Sequence, residues 1–192
     1  MISKPKCIIV TGRPGSGKTS LAKNLGSHLC MPIISRDEIK EGYVNTFGVQ
    51  HDLLPPHTNG MASDLFFDIT FKYLSNKVSV VIEAAFQHKR WEPSMPEIIN
   101  LSMPCIIICS VDAEVAANRH LQRGLNDPKR EYYHGDRRVA IFKSTGVISP
   151  PGEYVVPDFE VPTLKVSTMD GYSPSLDEIV DFIQASAGQR AR

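Results

Sequence analysis

Gly12-Arg13-Pro14-Gly15-Ser16-Gly17-Lys18-Thr19 is the stretch on which the fold turns. It matches the pattern G-x-x-x-x-G-K-[S/T]. Just before it, Lys6-Cys7-Ile8-Ile9-Val10-Thr11 is a short β-branched run suited to a buried strand. Just after it, Leu21, Ala22, Leu25 and Leu29 recur at helical spacing. A strand ahead and a helix behind are the setting in which this pattern is a phosphate-binding, or Walker A, loop. Chance supplies the four fixed positions in roughly 1% of chains this long, and the flanking pattern lowers that further. The glycines let the backbone turn its N–H groups inward around a phosphate chain. The helix N-terminus adds a favourable dipole for anions. Lys18 can reach the β and γ phosphates, and the Thr19 hydroxyl can ligate Mg²⁺. The expected nucleotide contacts are Gly12, Arg13, Pro14, Gly15, Ser16, Gly17, Lys18, Thr19 and Ser20, with Lys18 exposed in the loop.

Outward from this loop, strands alternate with helices. Residues 32–35 form a second strand, 36–43 a short helix and 45–59 a loop rich in turn residues. Residues 61–76 are apolar on most faces and read as a largely buried helix. Residues 78–83 form a third strand and 105–110 a fourth, with a proline-interrupted helix between them that includes 97–101. Residues 113–123 are helical, 163–167 form a fifth strand, and 175–187 the last helix, opened by Ser173-Pro174 and Asp177-Glu178. This alternation implies parallel pairing and a three-layer α/β sandwich. The proline-rich stretch 145–162 is too long for a simple connection and reads as a functional or a mobile loop.

A length of 192 residues suits one domain, and 42% hydrophobic residues suffice for a core. Twenty-one basic and 21 acidic side chains cancel, which argues against nucleic-acid binding by bulk charge. The longest apolar runs, such as 105–109, are far below the roughly 20 residues of a membrane span. No secretory pattern precedes the first strand. A soluble, cytoplasmic protein without membrane partners is expected. The cysteines show no C-x-x-C spacing and read as buried, reduced thiols. The histidines show no metal-ligand spacing and read as surface residues.

A phosphate loop does not name a reaction, and exclusions narrow it. Asn76-Lys77-Val78-Ser79 lacks the aspartate of a guanine-binding signature and precedes a strand. Strand three ends Val81-Ile82-Glu83-Ala84, with one carboxylate where an oligomeric ATPase shows Asp-Glu. No full G-x-G-x-x-G is present, so a dinucleotide fold lacks support.

Three further positions carry chemistry. Asp37 follows strand two, and in a parallel sheet the C-terminal strand ends face the ligand crevice. A carboxylate there can accept a proton from an attacking hydroxyl; equally, Asp37 or Glu38 can cap the helix that follows. Glu83, costly to bury without a partner, can hold Mg²⁺ directly or through water. Arg119 and Arg123 share a helix face. With the polar stretch after Gly124 they form either a lid that closes over ATP or a solvated surface.

Together these patches resemble the P-loop phosphotransferases grouped with polynucleotide 5′-hydroxyl kinases, zeta toxins and chloramphenicol phosphotransferase. The resemblance rests on Val10 through Thr19, on Ile34-Ser35-Arg36-Asp37-Glu38-Ile39-Lys40 and on Asn118-Arg119-His120-Leu121-Gln122-Arg123-Gly124. The second patch is similar to the Arg-Asp-Asp stretch of polynucleotide kinases, the third to their Arg-x-x-x-Arg-Gly. The resemblance implies a general base at Asp37, a lid contact to the phosphates at Arg123 and a related one at Arg119. Strand three departs from those kinases: Glu83-Ala84-Ala85-Phe86 stands where they show Asp-Thr-Asn.

The expected molecule is therefore a P-loop NTPase of nucleotide-kinase type. It would be a single domain over 1–192, with strand order 2-3-1-4-5 and a lid near 124–138. Lys18, Asp37 and Arg123 are its candidate catalytic residues, and Thr19 and Glu83 its candidate metal ligands. ATP and Mg²⁺ are the expected cofactors. A hydroxyl on a small-molecule or nucleotide-like acceptor is the expected target, in a pocket between Asp37 and the segments 45–59 and 61–76. A nucleic-acid 5′-hydroxyl kinase and an ATPase switch without acceptor are the alternatives.

Overall fold

A computed structural model describes residues 4–135, 137–149 and 152–186. The chain begins with β1 (Lys6–Gly12), α1 (Lys18–His28) and β2 (Ile33–Ser35). Then come α2 (Arg36–Phe47), a single 3-10 turn at His51–Leu53 and α3 (Thr58–Ser75). After β3 (Val80–Glu83) lie the short α4 (His88–Trp91) and α5 (Met95–Leu101). Next are β4 (Met103–Ser110), α6 (Ala113–Asn126), α7 (Arg130–His134) and α8 (Arg138–Thr145). The chain closes with β5 (Thr163–Ser167) and α9 (Leu176–Ala185). The five strands form one all-parallel sheet in the order β2-β3-β1-β4-β5, as the sequence predicts.

Both faces of the sheet are covered, so its central strands are apolar throughout and not alternating. Cys7 and Ile9 of β1 face one layer with Val80, Ile82, Ile106 and Ile108, under Phe66 and Leu74 of α3 and Ile98 of α5. Ile8 and Val10 face the other with Val81, Cys105 and Ile107, under Leu21 and Leu25 of α1 and Ile179 and Ile183 of α9. The first layer also holds an aromatic cluster. Phe66 and Phe86 each meet Trp91 edge-on at 6.0 and 5.2 Å between centroids. The Trp91 Nε1–H donates to Phe86 O at 3.1 Å, so this fully buried indole leaves no polar atom unpaired.

Several boundaries differ from the sequence reading. Helix α2 runs on to Phe47, where Gly48 ends it in the left-handed region at φ 65°, so the expected 45–59 loop shrinks to 48–57. Helix α3 starts at Thr58 and buries one face only; Met61 and Leu65 stay partly exposed because a single layer covers the sheet here. The proline-interrupted helix is two helices. Helix α6 passes through Gly124 to Asn126, and the expected lid is largely helical, comprising the end of α6 and α7. Asp136 of that segment, Pro150 and Pro151 of the long loop, and Ala187 of the expected last helix lie outside the described residues. Burial pushes the Cys105 and Cys109 thiols up to about 12 and Cys7 higher, but Cys30, beyond the end of α1, is exposed. Among the described residues no helix is long and apolar enough to cross a membrane.

Candidate active site

The phosphate loop leaves β1 at Gly12 and enters α1 at Gly17, whose φ of 81° suits a residue without Cβ. A Cβ on Gly12 would lie 2.6 Å from both Cys109 O and Ser16 Oγ, so the turn has no room for one. Thr168, just past β5, donates its hydroxyl to Ser16 O at 2.8 Å. Thr11 donates to Ala84 O at 2.8 Å and lies 2.8 Å from the Tyr154 hydroxyl, which in turn donates to Phe86 O. The second half of the long 145–162 loop is therefore packed against the strand that leads into the phosphate loop.

Sheet register delivers the next group. Ser35 at the end of β2 pairs with Glu83 at the end of β3, and Glu83 pairs with Val10 of β1. The Ser35 hydroxyl donates to Glu83 Oε2 at 2.8 Å, and Lys18 Nζ lies 3.6 Å from Glu83 Oε1. Lys18 is thus buried, not exposed as expected, because β3 offers it a carboxylate. Burial raises the Glu83 pKa, and the Lys18 charge and the Ser35 hydrogen bond oppose that. Glu83 Oε1 accepts no hydrogen bond, and Ser16 Oγ also has no partner. The Glu83 carboxylate and the Thr19 hydroxyl are hard oxygen donors of the kind Mg²⁺ takes.

The capping alternative resolves in favour of a third residue. Ser35 is the N-cap of α2, its hydroxyl facing Glu38 N at 3.5 Å. Asp37 lies in the first turn with a half-exposed carboxylate, 3.4 Å from Arg36 Nη1. It lines two adjoining cavities. The larger, about 390 Å³, is lined by Pro14, Gly15, Lys18, Thr19, Ser20 and Arg123 as well as Asp37. Gly12, Arg13, Ser16, Gly17 and Glu83 do not line it. Arg123 is exposed on this wall, and partial desolvation of its guanidinium, with the charges of Arg130 and Arg119, lowers its pKa. Arg119, expected beside it, is committed elsewhere: its Nη2 donates to Thr168 O and Met169 O, both at 2.8 Å.

The second cavity, about 270 Å³, lies between α2, the 3-10 turn and α7. The 45–59 segment reaches it through His51, but the α3 helix does not line it. Several wall residues escaped the sequence reading, among them Lys40, Glu41, His120 and His134. Arg36–Lys40 and Asp37–Glu41 are both four apart on α2, a spacing that was readable. The histidines carried no such spacing; His51, His120 and His134 are half-buried on the cleft, not surface residues. The Glu41 carboxyl is pushed up to about 7 by burial and by Asp37 and Glu38, and its Oε1 meets His134 Nε2 at 3.2 Å.

The sequence pattern of the AAA domain family matches residues 7–139. The chain belongs to the AAA domain family. Solved structures place this AAA domain protein among P-loop kinases in fold. One is a protein provisionally described as a kinase from Chloroflexus aurantiacus J-10-fl. It is 23% identical with a TM-score of 0.76, covering 96% of this chain and 99% of that one. The Mycobacterium tuberculosis APS kinase CysC, solved with AMPPNP and APS, is 17% identical with a TM-score of 0.63, covering 95% and 99%. The Pnkp1/Rnl/Hen1 RNA repair complex matches at 16% identity and a TM-score of 0.57, covering 84% and 52%. No curated protein sequence matches this AAA domain protein. Its fold is that of the group its three sequence patches resemble.

Proposed function

We propose that the chain is an ATP-dependent phosphotransferase acting on a hydroxyl group. One observation carries this: Asp37 shares a cavity wall with Lys18, Thr19 and Arg123. A carboxylate with no capping duty therefore faces the same space as the phosphate loop. Lys18 leaves Glu83 for the phosphates, and Arg123 draws charge from the transferring group. The acceptor hydroxyl oxygen forms the new P–O bond as the β–γ bridging bond breaks. The bond electrons stay on the departing ADP, and the hydroxyl proton passes to Asp37 and then to water. Mg²⁺ arriving with ATP would be held by Thr19 and Glu83 and would neutralise phosphate charge. Residues 124–138 would serve as the lid: among the described ones, Tyr133 donates to Asn45 Oδ1 at 3.3 Å and His134 meets Glu41, which sets α7 against α2, and closure there would keep water out. Such an enzyme works where ATP is abundant and free thiols stay reduced, in the cytoplasm.

Transfer of label from γ-³²P-ATP to sugars, nucleosides, antibiotics and oligonucleotide 5′ ends tests the proposal. A labelled acceptor with stoichiometric ADP supports it. Conversion of ATP to ADP and inorganic phosphate at a rate no acceptor changes would leave an ATPase instead.

A further inference from the structure

The smaller cavity differs from the larger in its charge. Arg36 and Lys40 lie on one face of α2, four residues apart, and Asp37 and Glu41 lie on the next. The acidic row is shared by both cavities. The basic row, with His51, belongs to the smaller cavity alone. At about 270 Å³ that cavity sits at the small end of ligand pockets, which run from about 300 Å³ upward.

Among the described residues the basic row is short of counter-ions: Arg36 has Asp37, and His51 has an Asp52 that it shares with Arg137. Lys40 is half-buried and, among the described residues, makes no hydrogen bond or ion pair. Burial lowers its pKa, and the neighbouring Arg36 charge lowers it further; Asp37 and Asp52 pull the other way. Arg36 reaches Asp37 and Asn59, yet its Nε is buried with no acceptor. His51 is pushed down by burial and by Lys40 and Arg36, against a 3.4 Å contact with Asp52. Asp52 is already engaged by Arg137 at 3.0 Å. Arg36 thus raises the cost of charge on Lys40, and both raise it on His51. Partly desolvated cations of this kind are stabilised by a bound anion, and an arginine fork beside a lysine suits a carboxylate or a phosphate.

We propose that the acceptor is a small hydroxylated anion, its carboxylate or phosphate held by Arg36, Lys40 and His51 and its hydroxyl presented to Asp37. This rests on the phosphotransferase reading and adds the acceptor's class. A neutral polyol would leave Lys40 without a partner. A nucleic-acid end would place only its terminus in so small a space.

Calorimetry on the protein loaded with AMPPNP tests this with gluconate, glucose 6-phosphate, glucose, sorbitol and a 5′-hydroxyl hexanucleotide. Gluconate or glucose 6-phosphate should bind at least about tenfold more tightly than glucose or sorbitol, the increment of one charge-assisted hydrogen bond. Which anion wins distinguishes carboxylate from phosphate. Lys40→Gln should lose that preference while melting at the wild-type temperature. Equal binding of the neutral compounds overturns the inference. So does a preference that survives Lys40→Gln, binding of the hexanucleotide alone, or no compound held more tightly by wild type than by the variant. Label transfer over the same compounds separates the two claims. Anions that bind but receive no phosphate leave the anion site standing and remove the phosphotransferase. Transfer to glucose or sorbitol at a rate Lys40→Gln does not alter leaves the phosphotransferase standing and removes the anion site.

Discussion

Lys18 Nζ stands 3.6 Å from Glu83 Oε1, and both side chains are buried. The pair joins the first turn of α1 to the end of β3, the strand that pairs with β1. It holds the phosphate-loop lysine in place without nucleotide. An arriving phosphate chain must compete with one carboxylate for it.

Removing one partner from a buried pair leaves an uncompensated charge. Lys18→Met should therefore destabilise the protein by about 3 kcal/mol at neutral pH. The double variant Lys18→Met/Glu83→Gln removes both charges and should regain most of that loss, while neither variant binds ATP. Chemical unfolding of the two variants checks this. A double variant no more stable than the single one contradicts the pairing.

Ser35 does two jobs, donating to Glu83 and capping α2. Ser35→Ala should cost about 2 kcal/mol. Asp37→Ala, at a half-exposed position with no cap role, should cost much less. Unfolding midpoints that reverse this order would return the cap to Asp37.

Glu41 gives the cleft a pH dependence. Its folded carboxyl titrates near 7, against about 4.3 when unfolded. Between those values the folded chain holds more protons, so this group's contribution to stability falls as pH rises through the window. Facing it are His134, Asp37, Glu38, Arg130 and Lys23. Glu41→Gln should gain on wild type from about pH 4 to about pH 7 and hold a constant difference above. Melting temperatures of both proteins across that range check it; a flat difference throughout would show that Glu41 titrates normally.

A lid acts by closing. Backbone amides of Arg130–His134 should exchange more slowly with AMPPNP bound than without it. Unchanged exchange there would make α7 a fixed part of the cleft wall.

The strand order and the phosphate loop were legible because they follow from local pattern. A β-branched run, a glycine turn and a helical period lie in one continuous stretch, 6–29. Asp37 was legible as a candidate because it follows a strand end. Lys18 was not legible as buried, because its partner lies 65 residues away and meets it only through sheet register. The same holds for Arg119, whose carbonyl partners at 168 and 169 come from the far end of the chain. Helix α7 and the histidines His51, His120 and His134 reach the cleft by tertiary packing. No periodicity marks His51 or His134 as facing inward on elements of three and five residues.

The central claim is that Asp37 serves the acceptor and the phosphate loop serves ATP, and Asp37→Asn separates them most directly. The substitution keeps the shape and removes the charge. ATP affinity and phosphoryl transfer should be measured on the same preparation. The account predicts ATP affinity within a few-fold of wild type, an unchanged melting temperature and transfer slowed by about 10²–10⁴. Normal transfer in that variant would contradict it.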